Sequence, residues 1–247
     1  MSLLTACANA MNDIGVGDTT PLTTIISNQL PNAIRIFQMA RRTAESIALR
    51  ANWTALVTEH VFTAGGQTQF LLPSDFRSMV NDTLWDRSRY WALRGALSPQ
   101  QWQLYKSSII GTATIEQRWR IRIPSGSGAG TATEFTIDPT IGATDNSTFV
   151  FEYVSQNWCT SASGTPQSAW AKDNDVFLLD ENLLELGIVW RMLRRLGLSY
   201  SEEREEYERE VDKAVARDGG TATISMVPNP RLILVGPFNI PETGYGH

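Results

Sequence analysis

Apolar side chains recur at helical spacing near the start of the chain. Residues 2–15 have the pattern of a short amphipathic helix, and residues from about 30 to 51 have that of a longer one. Pro31 would lie in the first turn of the longer helix, where its missing N–H costs nothing. Ser27 and Asn28 are candidate caps for the same helix. The sequence therefore predicts two helices before residue 52.

Helical spacing returns near the other end of the chain. Asp180 is placed to cap a helix that Gly197 would end, and Ser199 with Glu202 forms a capping box for a last helix reaching about Arg217. The apolar stripe of the first of these helices comprises Leu183, Leu186, Trp190, Leu193 and Leu196. The last helix has only a narrow apolar seam, made of Tyr200, Tyr207, Val211 and Ala214.

Between the helices, apolar and polar residues alternate with the period of a β-strand. Residues 56–63 and 68–72 flank a turn at Gly65-Gly66, which predicts a β-hairpin. Residues 83–85 and 90–93 flank Asp-Arg-Ser and predict a second hairpin.

A short helix and further strands follow these hairpins. Ser98, Pro99 and Gln101 predict a helix start that carries Trp102 and Tyr105. The clearest strand is 115–123, whose predicted partner is 131–138 across a glycine-serine tip, and residues 148–155 form the next strand. The polar face of the strand 115–123 carries Arg118, Arg120 and Arg122. Ordinary solvent exposure of these arginines is favoured over a role in phosphate binding.

These patterns predict an α+β fold, a helical bundle with an inserted antiparallel β unit and an extended C-terminal arm. The helical domain comprises residues 1–54 and 176–218, the β domain residues 55–175, and the arm residues 219–247.

The predicted arm has no periodicity, yet it is too apolar for a solvated linker. Prolines at 228, 230, 237 and 241 exclude a helix. Fully extended, the arm would span about 80–90 Å. Such a segment is typical of an attachment device, and its candidate anchors for a partner or a neighbouring subunit are Val227, Leu232, Leu234, Phe238 and Ile240.

Composition excludes several classes of protein. The chain has 247 residues, is 42% hydrophobic and 19% charged, and carries a net charge of −5, so it is globular and lacks the basic footprint of a general nucleic-acid binder. No apolar run reaches the length of a membrane helix. The start resembles a lipoprotein cleavage box at Cys7, but the residue spacing fits a short helix better. Cys7 and Cys159 are expected to be buried, reduced thiols.

The last helix is dominated by carboxylates, at positions 202, 203, 205, 206, 208, 210 and 212. One interpretation is a solvated outer helix, and the other is an acidic wall that faces a channel or a neighbour. Under the second interpretation the candidate channel-lining residues are Glu203, Glu206 and Glu210.

The residues do not predict a catalytic site, a metal site or a cofactor. His60 falls in a strand and His247 ends the chain, so a histidine-based triad is not expected. Asp173 and Asp175 fit a turn, and Asp82 fits another. The chain has no phosphate-binding loop of the GxxxxGK[ST] type.

Several collinear segments carry a resemblance to a known family: RANWTALVTEHVFTAGGQTQFLLPSDFRSMVNDTLWDRS, GALSPQQWQLYK, FEYVSQNWC, KDNDVFLLDENLLELGIVWRMLRRLGLSYSEEREEYERE and NIPETGYG. In this order they resemble the head-to-tail adaptor proteins of tailed double-stranded DNA bacteriophages, also called connector, head-completion or tail accessory proteins. The resemblance covers most of the chain and is weakest at residues 107–147.

The resemblance implies a structural, non-enzymatic virion protein that is assembled in the host cytoplasm. It implies a ring of about twelve copies with a heterologous interface, docked on the portal after DNA packaging. The ring would carry the next tail component, a nozzle or fibre, and leave a channel through which DNA passes without specific binding. Two alternatives remain: another neck or tail structural protein, distinguished by copy number, and a cell-wall hydrolase, distinguished by an activity assay.

Overall fold

The structure, a computed structural model, describes residues 2–15, 22–28, 30–93, 95–107, 117–122, 134–138 and 146–219. Within these ranges the helices are α1 (Leu3–Ile14), α2 (Pro31–Arg50), α3 (Pro99–Ser107), α4 (Glu181–Leu196) and α5 (Ser201–Asp218). The strands are β1 (Val57–Thr63), β2 (Gln69–Leu71), β3 (Phe76–Met79), β4 (Trp85–Asp86), β5 (Trp91–Ala92), β6 (Arg118–Arg122), β7 (Glu134–Asp138), β8 (Thr148–Ser155), β9 (Cys159–Thr160), β10 (Pro166–Gln167) and β11 (Val176–Phe177). The predicted α+β class is confirmed.

Helix α4 lies at the centre of the helical layer and packs against α1, α2 and α5. The sequence sets its limits: the Asp180 carboxylate accepts a hydrogen bond from the Asn182 N–H at 2.9 Å, and Gly197 ends the helix with φ 76°. Both of these predicted boundaries are confirmed. The fully buried side chains on α2 and α4 include Ile36, Ala40, Ala44, Ile47, Leu184, Ile188 and Met192.

The buried face of α4 differs from the predicted stripe. Leu183 and Trp190 are buried as expected, but Leu186 and Leu193 are only half-buried and Leu196 is exposed. The deepest positions follow the series Leu184, Ile188 and Met192 instead. Because α4 is covered by helices on several sides, its apolar surface is wider than a single stripe, and spacing alone did not identify its centre.

Strand β8 is the centre of the larger sheet. Strand β1 pairs antiparallel with it over the whole of β1, from Val57 opposite Val154 to Thr63 opposite Thr148. Strands β3 and β4 share the other edge of β8, and β5 extends the sheet from β4. The hairpin predicted at 83–85 and 90–93 is confirmed by the β4–β5 pair.

A smaller sheet, in the order β2-β7-β6, shares an aromatic core with the larger one. The β6–β7 pairing predicted from the sequence is confirmed. The predicted hairpin between residues 56–63 and 68–72 is wrong, because β1 pairs with β8 and β2 pairs with β7. The glycine turn carries the chain from one sheet to the other, and the Phe62 and Phe70 rings meet with their centroids 4.8 Å apart.

Of the other predicted helix caps, two are wrong and one is confirmed. Helix α2 is preceded by Leu30 without a side-chain cap, since the Asn28 side chain instead accepts the Leu30 N–H before the helix begins. Helix α5 begins at Ser201, one residue later than a Ser199 capping box would require. The box at Ser98 is present, with the Ser98 and Gln101 side chains accepting each other's backbone N–H.

Candidate functional site

Helix α5 buries a narrow seam and leaves its other sides to solvent. Tyr207, Val211 and Ala214 are buried, as the sequence predicted, whereas Tyr200, the fourth predicted member of the seam, is half-buried and precedes the helix. Glu203, Glu206 and Glu210 lie on one side of the helix because their spacing is three and four residues. Glu206 is exposed, and Glu203 and Glu210 are half-buried at the border of the seam.

One edge of α5 is fixed by ion pairs to α2. The Arg50 guanidinium donates to the Glu208 carboxylate at 2.6 Å and to Asp212 at 3.4 Å, and the hydrogen bond to Glu208 raises the pKa of Arg50. The Asp218 carboxylate accepts from the Thr54 N–H at 2.7 Å and from its hydroxyl at 2.9 Å. Glu208, Asp212 and Asp218 therefore hold the helix in place.

Basic residues balance the later part of α5 but not its start. The Glu210 carboxylate accepts from Lys213 at 2.7 Å, and this hydrogen bond is the main reason why the pKa of Glu210 is lowered, with smaller contributions from Arg217 and Arg209. At the start of the helix, over residues 201–207, only Arg204 is basic. The carboxylates of this part, Glu202, Glu203, Glu205 and Glu206, make no ion pair within the described ranges.

A groove with a volume of about 580 Å³ lies between α2 and α4, lined by Met39, Arg42, Trp190, Arg191, Arg194 and Arg195. Arg191 is fixed at its base: the guanidinium donates to the Thr43 hydroxyl at 3.0 Å and to the Gly187 carbonyl at 3.3 Å. It also stacks 4.5 Å from the centroid of the Trp190 ring. We call this set of residues the arginine groove.

The other arginines of the groove are available to an anion. Arg42, Arg194 and Arg195 are exposed, and none of them makes an ion pair with another described residue. The Trp190 indole N–H is buried and has no hydrogen-bond partner in the described part of the chain. Sequence reasoning missed this groove because its residues come from two antiparallel helices far apart in the chain. The available signal was the charge of the last turn of α4.

The arginine stripe on β6 is largely covered, contrary to the solvated face that the sequence predicted. The Arg118 guanidinium lies 4.9 Å from the Tyr105 ring centroid, and that of Arg120 lies 4.5 Å from the Trp102 ring centroid. Helix α3 thus packs on this face through cation–π contacts, which leaves Arg122 exposed. On the opposite face Trp119 is buried, as the predicted alternation requires, but Ile121 is exposed. The helix that covers the arginines could not be seen from the strand alone.

The histidine, aspartate and cysteine side chains have structural partners. His60 lies in β1, 5.2 Å from the Phe151 ring centroid, and burial lowers its pKa. The Asp173 carboxylate accepts from the Ile25 and Ile26 N–H groups. The buried Asp175 accepts from the Ala171 and Lys172 N–H groups, which confirms the predicted turn.

Cys7 and Cys159 are buried free thiols, as predicted, and burial raises the pKa of each to about 12. Asp82 is exposed in a turn, also as predicted, with φ 61°. Among the described residues, no group of three or more histidine, cysteine, aspartate or glutamate side chains is placed to hold a metal ion. No helix in those ranges is both long and apolar enough to span a membrane.

The predicted arm lies outside the described residues, beyond position 219. Its candidate anchors, Val227, Leu232, Leu234, Phe238 and Ile240, and also His247, therefore remain sequence-based expectations. The same applies to the glycine-serine tip between the two strands of the smaller sheet.

Comparison with known proteins gives one family. Residues 1–231 match the model of the family described as SU10 adaptor protein. The match includes the helical layer, all the described strands and the beginning of the predicted arm. No curated protein matches the chain.

Proposed function

The chain belongs to the SU10 adaptor protein family, a family of phage head-to-tail adaptors, and from this premise we propose that it forms a ring that docks on the portal. The family assignment makes the chain a structural component of a phage particle. The family match over residues 1–231 carries the proposal, because it spans every helix and strand that the structure describes. The ring would contain about twelve copies, close the DNA-filled head and carry the next tail protein, a nozzle or fibre.

The charge distribution of the helical layer supports a ring. A closed ring needs two different faces on each subunit, and each must suit the other. The start of α5, residues 201–207, is acidic, while the arginine groove is basic. Each of these surfaces lacks ion-pair partners within the described ranges of its own chain.

Glu203, Glu206 and Glu210 form the proposed channel wall. Their common side of α5 has partly exposed carboxylates, and like charge opposes the binding of a phosphate backbone. DNA would pass such a wall without adhering to it, which suits a neck that must release the genome quickly.

Residues 221–247 form the proposed attachment to the portal or to a neighbouring subunit on the way to it. The prolines limit the conformations of the free arm and so reduce the entropy lost on docking. The five apolar anchors would each contribute roughly 1.5–3 kcal/mol when fully buried. Repeated around a ring, many such attachments act together and dissociation of the ring becomes very slow.

The proposal is tested in a phage that lacks the gene for this protein. We expect DNA-filled heads that carry no tail and lose their DNA, and we expect the purified protein to restore retention and tail addition. Electron microscopy of the completed heads should show a ring of about twelve copies below the portal. Heads that retain DNA and acquire tails without the protein would contradict the proposal, as would a particle containing only a few copies.

A further inference from the structure

The arginine groove is lined by hydrogen-bond donors without a matching acceptor. Its charged side chains are Arg42, Arg191, Arg194 and Arg195, and no acidic residue in the described ranges lines it. The guanidinium of Arg191 is already used by Thr43, Gly187 and the Trp190 ring. Three exposed guanidinium groups and one buried indole N–H remain, in a chain whose net charge is −5. The groove is therefore suited to carboxylates or phosphates.

The first two turns of α5 present carboxylates of the required kind. Glu202 and Glu205 are three residues apart, are exposed, and lie on the side of the helix opposite the buried Tyr207 seam. They differ in position from Glu203, Glu206 and Glu210, which border the seam. Neither carboxylate has an ion-pair partner among the described residues.

We propose that the arginine groove of one copy receives the first two turns of α5 from the next copy. Glu202 and Glu205 of the second copy accept hydrogen bonds from Arg194 and Arg195 of the first, and Arg42 forms the opposite wall. The inference rests on the proposed ring and assigns the side chains that join its subunits.

The position of the two surfaces in the chain suits a ring. The last turn of α4 contains Arg194 and Arg195, and α5 begins after a short connection at residues 197–200. The basic and acidic surfaces therefore lie at the same end of the helical layer. Rotation about a ring axis preserves height along that axis. In a ring whose axis runs along the helices, two surfaces at the same end of the layer therefore lie at the same level and can meet between neighbours.

A second copy is a better occupant than DNA. A duplex approaching the groove would also approach the carboxylates at the start of α5, because both lie at one end of the layer. Like charge there would oppose a phosphate backbone. The start of α5 from another copy meets less repulsion, because its positively charged Arg204 lies beside its carboxylates.

Charge reversal tests the inference in particles assembled by a phage that lacks its own gene for the protein. We expect R194E/R195E and E202R/E205R each to lower incorporation by more than about tenfold, because like charges then meet across the interface. The variant carrying all four changes should recover most of the loss, since the charges are complementary again. The control R89E/R122E reverses two exposed charges on the β unit and should incorporate normally.

A disulfide cross-link tests the same contact without charge reversal. In R195C/E202C particles, oxidation should give a ladder of covalent oligomers on a non-reducing gel. The natural thiols should stay out of the reaction, because Cys7 and Cys159 are buried with raised pKa values. Each single-cysteine variant is the matched control and should remain monomeric on the gel.

The outcomes separate this inference from the proposed function. If wild-type rings close the heads but both reversals incorporate normally and no ladder forms, the interface is wrong and the ring proposal stands. Loss of DNA retention with rings intact would assign the groove to DNA. A photo-crosslinker attached to the R195C variant that reacts with residues 221–247 would assign the groove to the arm. Both results overturn the inference. Absence of wild-type rings from complete particles would reject the ring itself.

Discussion

Because Gly187 has no side chain, helices α2, α4 and α5 can pack closely around it. A Cβ placed there would collide with the Thr43 methyl group of α2 and lie 3.0 Å from the Tyr207 ring of α5. Gly187 lies in a regular helical turn, so the glycine is required here for its small size and not for its backbone flexibility. It also brings the Gly187 carbonyl within reach of Arg191, at the base of the arginine groove.

We therefore expect Gly187→Ala to destabilise the folded protein by about 1–3 kcal/mol, the usual cost of overpacking a core. Thermal unfolding should show a lower Tm. Gly65→Ala is the matched control, because a Cβ there meets nothing within 4 Å. Adding Thr43→Ser, which removes the colliding methyl group but keeps the hydroxyl, should recover part of the loss. A Tm equal to that of the wild type would show that the helices separate freely at this point.

Burial also changes the acid–base chemistry of particular residues. The pKa values of Cys7 and Cys159 rise from 9.0 to about 12, chiefly because burial disfavours the thiolate. The pKa of Tyr153 rises from 10.0 to about 12 through burial and through its hydrogen bond to Asp75. These groups lose their protons at lower pH in the unfolded chain than in the folded one.

The free energy of unfolding should therefore fall as pH rises from about 9 to about 12, because the folded state binds more protons in that window. Below this range these groups leave stability unchanged. Urea titrations at about pH 8.5 and pH 11 should show a smaller loss for C7A/C159A than for the wild type. The slope is the readout, so a uniform loss of stability in the variant does not affect it. Parallel pH profiles would contradict the assignment of the thiols.

Individual elements were easier to predict than the way they combine. Helical spacing, Asp180 and Gly197 located α2 and α4 nearly to the residue, because those signals are local. The pairing of β1 with β8 could not be read in the same way, since the partners are separated by most of the β unit. A glycine turn between two strands is compatible with a hairpin and with a passage between sheets. The Phe62–Phe70 contact that distinguishes them is tertiary.

In the proposed ring, the acidic side of helix α5 faces the path of the DNA. If its Glu203, Glu206 and Glu210 side faces the channel, reversing these charges to lysine should slow DNA ejection while rings still form. The lysines would attract the phosphate backbone, and the effect should shrink as salt is added because screening then acts over shorter distances. Ejection is measured by fluorescence of released DNA from purified particles.

Asp13→Lys is the control for that experiment, since Asp13 is an exposed carboxylate on α1. It should eject DNA at the wild-type rate. An unchanged rate in the triple variant would place this side of α5 on the outside of the ring, as an ordinary solvated helix surface.

In the molecule as a whole, we expect the arm to serve attachment and the helices and sheets to fold without it. The apolar anchors of the arm do not follow the spacing of a helix or a strand, so we expect them to bind a partner. The arginine groove could not be predicted from the sequence. Its residues are separated by most of the chain, and only the packing of α2 against α4 brings them together.

Deleting residues 221–247 should leave the Tm of the purified protein nearly unchanged and abolish its attachment to DNA-filled heads. A full-length variant with serine at Val227, Leu232, Leu234, Phe238 and Ile240 should show the same loss, which separates the anchors from the length of the arm. Attachment is measured by sedimentation of the protein with heads. A truncated protein that still sediments with heads and seals them would assign the essential contact to the helical layer.

Strand β8 belongs to both cores of the molecule. Its Phe149 and Phe151 pack among the aromatic rings between the two sheets, whereas Val154 packs in the helical core. A tail that pulls on the β unit therefore loads the helices through a continuous strand held on both edges. The hydrogen bonds between β1 and β8 are then loaded in shear. Many of them must break together, whereas in peeling they would break one at a time. If the tail attaches to the β unit, as the proposed function would allow, this junction would carry the tension.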